Sequence, residues 1–197
     1  DVFLPKDYKT ALRSLRYKLR QVQRHVGYGN FNILTFDDML FLGRNYSKIG
    51  KFSKLELDFI ESIFYYDPSV HGFYGTRISF ALTDRIQKRE IYKVPRTGHY
   101  LYKGKTLDAY NHMKKDIGDS IILTSGVRSV VKQLKLFVDK LYSAKANLSL
   151  ASRSIAPPAF TYHSVGDFDI GKKGFGYANF TSRFALTDEF FKMKKLK

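Results

Sequence analysis

Ser120-Ile121-Ile122-Leu123-Thr124-Ser125-Gly126-Val127-Arg128-Ser129 reads as a short buried strand that ends in a glycine turn and hands the chain to a helix. The helix is predicted over residues 130–142, with Val131, Leu134, Val138 and Leu141 on its inner face. A helix near residues 107–117 precedes the strand, and a second strand is expected around 165–170. A strand–turn–helix unit of this kind, with further helices on both sides, predicts an α+β fold.

Further out, residues 6–27 read as one helix. Leu12, Leu15, Leu19, Val22 and Val26 recur at spacings of three and four and form one stripe, while Lys9, Arg13, Arg16, Lys18, Arg20 and Arg24 fall mostly off it. Gly27 and Gly29 end that helix. A second helix starts at Thr35, with Asp37 and Asp38 in its first turn. The third has a capping box, Ser53 with Glu56, and Phe52 placed to staple onto Leu57. Its predicted core face is Leu55, Phe59, Ile60, Ile63 and Phe64, and Asp67-Pro68 ends it. Residues 1–66 therefore read as a helical region, and 67–197 as a second domain.

From 71 to 105 glycines and aromatics alternate without period, which predicts a loop-rich wall beside a cleft. Residues 145–162, with Ser149, Ser152, Ser154, Pro157 and Pro158, read as an ordered loop. A last helix begins near Thr187.

The chain of 197 residues has 34 Lys and Arg against 18 Asp and Glu, a formal charge of +16. That excess favours a polyanionic neighbour such as nucleic acid, anionic lipid or cell-wall polymer. With 44% hydrophobic residues, wholesale disorder is excluded. No apolar run reaches the roughly 18–20 residues of a bilayer-spanning helix, so no transmembrane segment is expected. The absence of cysteine excludes a disulfide framework, a thiolate metal site and a cysteine nucleophile. The first residue is Asp1 rather than Met, which reads as a processed or trimmed start.

Two segments carry candidate chemistry. In the first, Ser125-Gly126-Val127-Arg128-Ser129, a turn at a strand end aims a guanidinium, the group best shaped to grip a carboxylate with two parallel hydrogen bonds. The second is Ala156-Pro157-Pro158-Ala159-Phe160-Thr161-Tyr162-His163-Ser164-Val165-Gly166-Asp167-Phe168-Asp169-Ile170-Gly171. Imidazole nitrogen and carboxylate oxygen are both suitable ligands for Zn²⁺. Strand alternation puts Asp167 and Asp169 on one face. Two carboxylates on a buried strand face would need a metal, or a basic partner such as Lys172 or Lys173.

Taken together, Ser-Gly-x-Arg-Ser with Gln133, then Pro-Pro-x-x-Thr-x-His-x-x-Gly and a following Asp, resemble the zinc D-alanyl-D-alanine carboxypeptidases of the VanY-like family. The resemblance covers roughly residues 120–195 and implies an α+β fold, a small, mainly antiparallel sheet with flanking helices, preceded by an α-helical N-terminal region that lies outside it. It implies a hydrolase of the bacterial periplasm or cell envelope, exported, that trims the terminal D-amino acid from peptidoglycan stem peptides. His163 and Asp169 match zinc ligands, and Arg128 matches the residue that binds and polarises the substrate's terminal region. Gln133 and Thr161 match polar positions lining the substrate pocket. The sequence has one residue fewer between His163 and Asp169 than relatives do, which makes Asp167 the fallback ligand.

Relatives complete the site with a late Glu-x-x-His segment, supplying a general base and a third zinc ligand. Residues up to Lys197 contain none, so the expectation is an incomplete site, inactive until a longer chain or a separate C-terminal fragment completes it. Glu189 and His99 are the spare carboxylate and imidazole. The rival expectations are a catalytically inactive cell-wall-binding protein with the same cleft, and a basic nucleic-acid-binding protein using residues 6–27. The leading reading has no specific nucleic-acid partner.

Overall fold

A computed structural model describes residues 1–196. The chain divides into two compact units, residues 1–86 with 128–164, and residues 87–127 with 165–197. The boundary read at 66/67 is a different partition of the same chain. The architecture is α+β, as the strand–turn–helix reading implied.

The first unit holds α1 (Lys6–Val26), α2 (Tyr28–Phe31), α3 (Phe36–Asn45) and α4 (Lys54–Tyr65), then α6 (Val130–Ser143) and α7 (Leu148–Ser154). α1 packs against α4 and α6 as well as α2 and α3. Its stripe of Leu12, Leu15, Leu19 and Val22 is at most 3% exposed, each side chain supplying roughly 1.5–3 kcal/mol of burial. The inner face of α6, including Val131, Leu134, Val138 and Leu141, is wholly buried in the same core. The helices of residues 1–66 therefore share one core with α6 and α7.

The helix starts follow their local signals. Thr35 accepts a hydrogen bond from the Asp38 amide, and Ser53 and Glu56 complete the reciprocal capping box. Leu55, expected on the core face of α4, is instead 39% exposed. It lies in the first turn, where the buried position is taken by Glu56, whose carboxylate reaches Lys18 at 2.7 Å. Arg16 on α1 reaches Asp139 on α6 at 2.8 Å and stacks on Tyr142. With Arg20, 3.8 Å from Asp139, three of the six cations named on the helix over residues 6–27 thus pair with carboxylates of α4 and α6.

α7 falls where an ordered loop was expected. Asn147 caps it, accepting from the Leu150 amide, and the hydroxyls of Ser152 and Ser154 donate to the carbonyls four residues back. The N-terminal residues run along its start, with Phe3 bridged to Asn147 and the Leu148 amide donating to the Val2 carbonyl.

The second unit has β1 (Ile91–Lys93) antiparallel to β2 (Tyr100–Tyr102), then α5 (Lys105–Ile117), and β3 (Ile121–Ser125) antiparallel to β4 (Asp169–Lys172). α8 (Asp188–Met193) follows its Thr187 cap. The expected single sheet is thus two separate two-stranded ladders. β3 alternates buried with half-buried residues, where a fully buried strand was expected. Val94, Leu101, Tyr110 and Leu123 form this unit's core, with Leu107, Phe168 and Ile170 packed on it.

Candidate functional site

Gly126 explains how the chain leaves β3. A Cβ built there would lie 2.1 Å from the Tyr100 carbonyl oxygen, and the next amide, that of Val127, donates to the same oxygen at 2.7 Å. Only glycine lets the backbone approach β2 so closely. Ser129 then caps α6, accepting from the Lys132 amide at 3.2 Å, while its own amide donates to the carbonyl of buried Asn32. Between these two anchors sits Arg128.

The first unit draws Arg128 to the second motif. The Arg128 amide donates to the His163 carbonyl at 3.2 Å, and the Ser164 hydroxyl donates to the Arg128 carbonyl at 2.8 Å. Its guanidinium donates to Gln133 Oε1 at 3.4 Å, and Gln133 Nε2 donates to the Ala156 carbonyl at 2.7 Å. Gln133 and Thr161 are only 1% and 2% exposed. Both ends of the Gln133 amide are engaged, so it orients Arg128 and pins the start of the Pro157-Pro158 segment. The backbone from Tyr162–Ser164 forms a 3₁₀ turn that carries His163, half-buried.

Ser164 and Lys132 escaped the sequence reading. Lys132 follows two buried valines on the first turn of α6 and is half-buried. Burial, then the positive charges of Lys135 and Arg128, push its ammonium down to about 8 against the opposing pull of Asp139. Asp139 itself is held by Lys135 at 2.6 Å and Arg16 at 2.8 Å, so the start of α6 keeps an excess of positive charge.

Asp169 belongs to the second unit, as do Asp167, His99 and Glu189. β4 begins at Asp169, later than expected, and Asp167 precedes it. Phe168 and Ile170 pack inward while Asp167 and Asp169 are both exposed. The burial penalty that seemed to demand a metal or basic partner for these carboxylates therefore does not arise. The β3–β4 register slips between Leu123 and Ser125, so Ser125 pairs with Asp169 across a bulge. The extra residue is on β3, not in the His163–Asp169 segment.

Glu189 is a structural carboxylate. It is 6% exposed, and its Oε2 lies 3.1 Å from Lys172 Nζ, outside hydrogen-bonding direction. Burial works against its ionisation, but its own helix N-terminal amide, Lys172 and Ser120 outweigh that and hold the carboxyl below its ordinary value. A general base at neutral pH needs the opposite shift.

The donor types at His163 and Asp169 suit zinc, but a catalytic zinc takes three protein ligands. Among the described residues no group of three or more His, Asp or Glu side chains gathers that could hold a metal ion. The donor chemistry fits and the donor number does not. No protein-family model, curated protein or solved structure matches this chain.

Proposed function

We propose that this chain serves zinc-dependent carboxypeptidase chemistry on peptidoglycan stem peptides, removing a terminal D-amino acid across a D,D or L,D bond in the bacterial periplasm or cell envelope. One observation carries the reading: the Arg128 amide, carbonyl and guanidinium are bonded to His163, Ser164 and Gln133, joining the two motifs on which the family resemblance rests. The chain's own contribution is recognition. Arg128 grips the free C-terminal carboxylate of the stem peptide, Gln133 and Ser164 orient it, and the excess charge near Lys132 favours the anion. The ligands that the resemblance implies, His163 and Asp169 with Asp167 as fallback, are two where a catalytic zinc takes three, so the zinc chemistry of this reading needs a further ligand.

The test is D-alanine release from a stem pentapeptide and tetrapeptide by the full encoded chain in zinc. It is paired with metal analysis of the His163→Ala, Asp169→Ala and Asp167→Ala variants. The reading expects release, its loss with zinc in His163→Ala, and a larger zinc loss in Asp169→Ala than in Asp167→Ala. Stem-peptide binding without zinc or release would make the protein a cell-wall-binding module. Nucleic-acid binding that falls steeply with salt, without stem-peptide binding, would replace both.

A further inference from the structure

The end of α4, the run of glycines and aromatics after it, and Phe160 line an open cavity of about 420 Å³ in the first unit. Its floor is Phe73, set edge-on to Phe160 with centroids 5.5 Å apart and an interplanar angle of 76°. Its rim carries Tyr65, Asp67 and Tyr74, and the two tyrosines are 54% and 85% exposed. Gly75 presses on the floor ring, since a Cβ there would come within 2.5 Å of Phe73.

The charge around this cavity is unlike that of the rest of the chain. In a protein of net charge +16, the lining has one carboxylate, Asp67, and one cation, Arg77. That guanidinium lies 4.8 Å from the Phe160 ring and donates to main-chain carbonyls of Phe64, Tyr66 and Ser79. It is committed to holding the loop. A phosphate or carboxylate ligand would meet Asp67 and no uncommitted lining cation. Flat, solvent-facing tyrosines beside an exposed carboxylate, whose Oδ1 already accepts the Ser69 amide at 2.9 Å, suit a neutral ring that has C–H faces and hydroxyl edges.

We propose that the cavity floored by Phe73 and Phe160 and rimmed by Tyr65, Asp67 and Tyr74 is a saccharide-binding subsite for a neutral hexose or N-acetylhexosamine unit. The tyrosine faces cover the sugar's C–H faces and Asp67 accepts its hydroxyls. This goes beyond the hydrolase reading and needs neither zinc nor Arg128.

The experiment titrates residues 1–197 with a β-1,4-linked N-acetylglucosamine tetramer, followed by calorimetry and by amide shift changes. Saturable binding is expected, equal at low and high salt and equal in Arg128→Lys. It should weaken at least about tenfold in Tyr74→Ala and in Tyr65→Ala, and severalfold in Asp67→Asn. These side chains are exposed, so circular dichroism should confirm that the variants stay folded. No saturable binding would overturn the proposal, as would binding unchanged in both tyrosine variants. Binding of a single-stranded oligonucleotide instead, falling with salt, would reassign the rings to base stacking and also overturn it. The saccharide titration uses neither stem peptide nor zinc, so failure of either proposal is distinguishable from failure of the other.

Discussion

The Arg128 amide donates to the His163 carbonyl at 3.2 Å, bridging 35 residues of chain between the two motif segments. The bond fixes the backbone of both residues and leaves the Arg128 guanidinium to be oriented by Gln133. In the chain just before Arg128, Gly126 lies so close to the Tyr100 carbonyl that a Cβ has no room.

Gly126→Ala should therefore be strongly destabilising. The new methyl would overlap the Tyr100 carbonyl, which is main chain and cannot swing aside. A loss of at least about 2 kcal/mol is expected, seen as a fall in melting midpoint of about 5 °C. A midpoint equal to that of the parent would show that β2 yields freely.

Glu56 should make stability acid-sensitive. It is 2% exposed and 2.7 Å from Lys18 Nζ and from the Ser53 amide. Burial raises its pKa, but Lys18, Ser14 and Ser53 outweigh that and hold it below its ordinary value. The stabilisation is thus fully present above the ordinary carboxylate value and is lost as pH falls through the lowered one. Glu56→Ala should cost about 3 kcal/mol at neutral pH and flatten the acid limb of a denaturation series. An unaltered acid limb would remove Glu56 as its cause.

Lys132 should act in the opposite sense. Its folded pKa of about 8 lies below the ordinary 10.5, so between these values the unfolded chain holds a proton the folded one has released. Stability from this group rises with pH through that window, and below it the burial penalty is fully present. Lys132→Met should raise the melting midpoint at neutral pH and abolish the alkaline rise. A lower midpoint at neutral pH would show that the ammonium makes a contact worth more than its burial costs.

What could be read in advance followed from local physics. Thr35, Ser53 with Glu56, and Thr187 each cap a helix with their own side chain, so those starts needed no tertiary knowledge. α7 was illegible because it is anchored by an asparagine cap and the pairing of Phe3 with Asn147, not by an apolar period, and because its serines, read as loop formers, bond back to the helix's own carbonyls. Leu55 was misassigned because the ion pair between Lys18 and Glu56, on two distant helices, decided which first-turn residue turns inward. The residue types at the candidate site were legible, but their juxtaposition was not. Hydrogen bonds from Arg128 to His163 and from Ser164 to Arg128 join segments with no shared periodicity. The exposure of Asp167 and Asp169 likewise depends on Phe168 and Ile170 finding a core built from β2, β3 and α5.

The most direct test of carboxylate recognition by Arg128 compares two ligands that differ only at the C-terminus. Stem pentapeptide as free acid and as C-terminal amide would be titrated calorimetrically into the parent protein and Arg128→Lys. The account predicts that the acid binds at least about tenfold more tightly than the amide, because a charge-assisted bidentate pair is lost in the amide. It also predicts that Arg128→Lys erases that difference although its charge is kept. Equal affinity for acid and amide in the parent protein, or a preference that survives in Arg128→Lys, would contradict it.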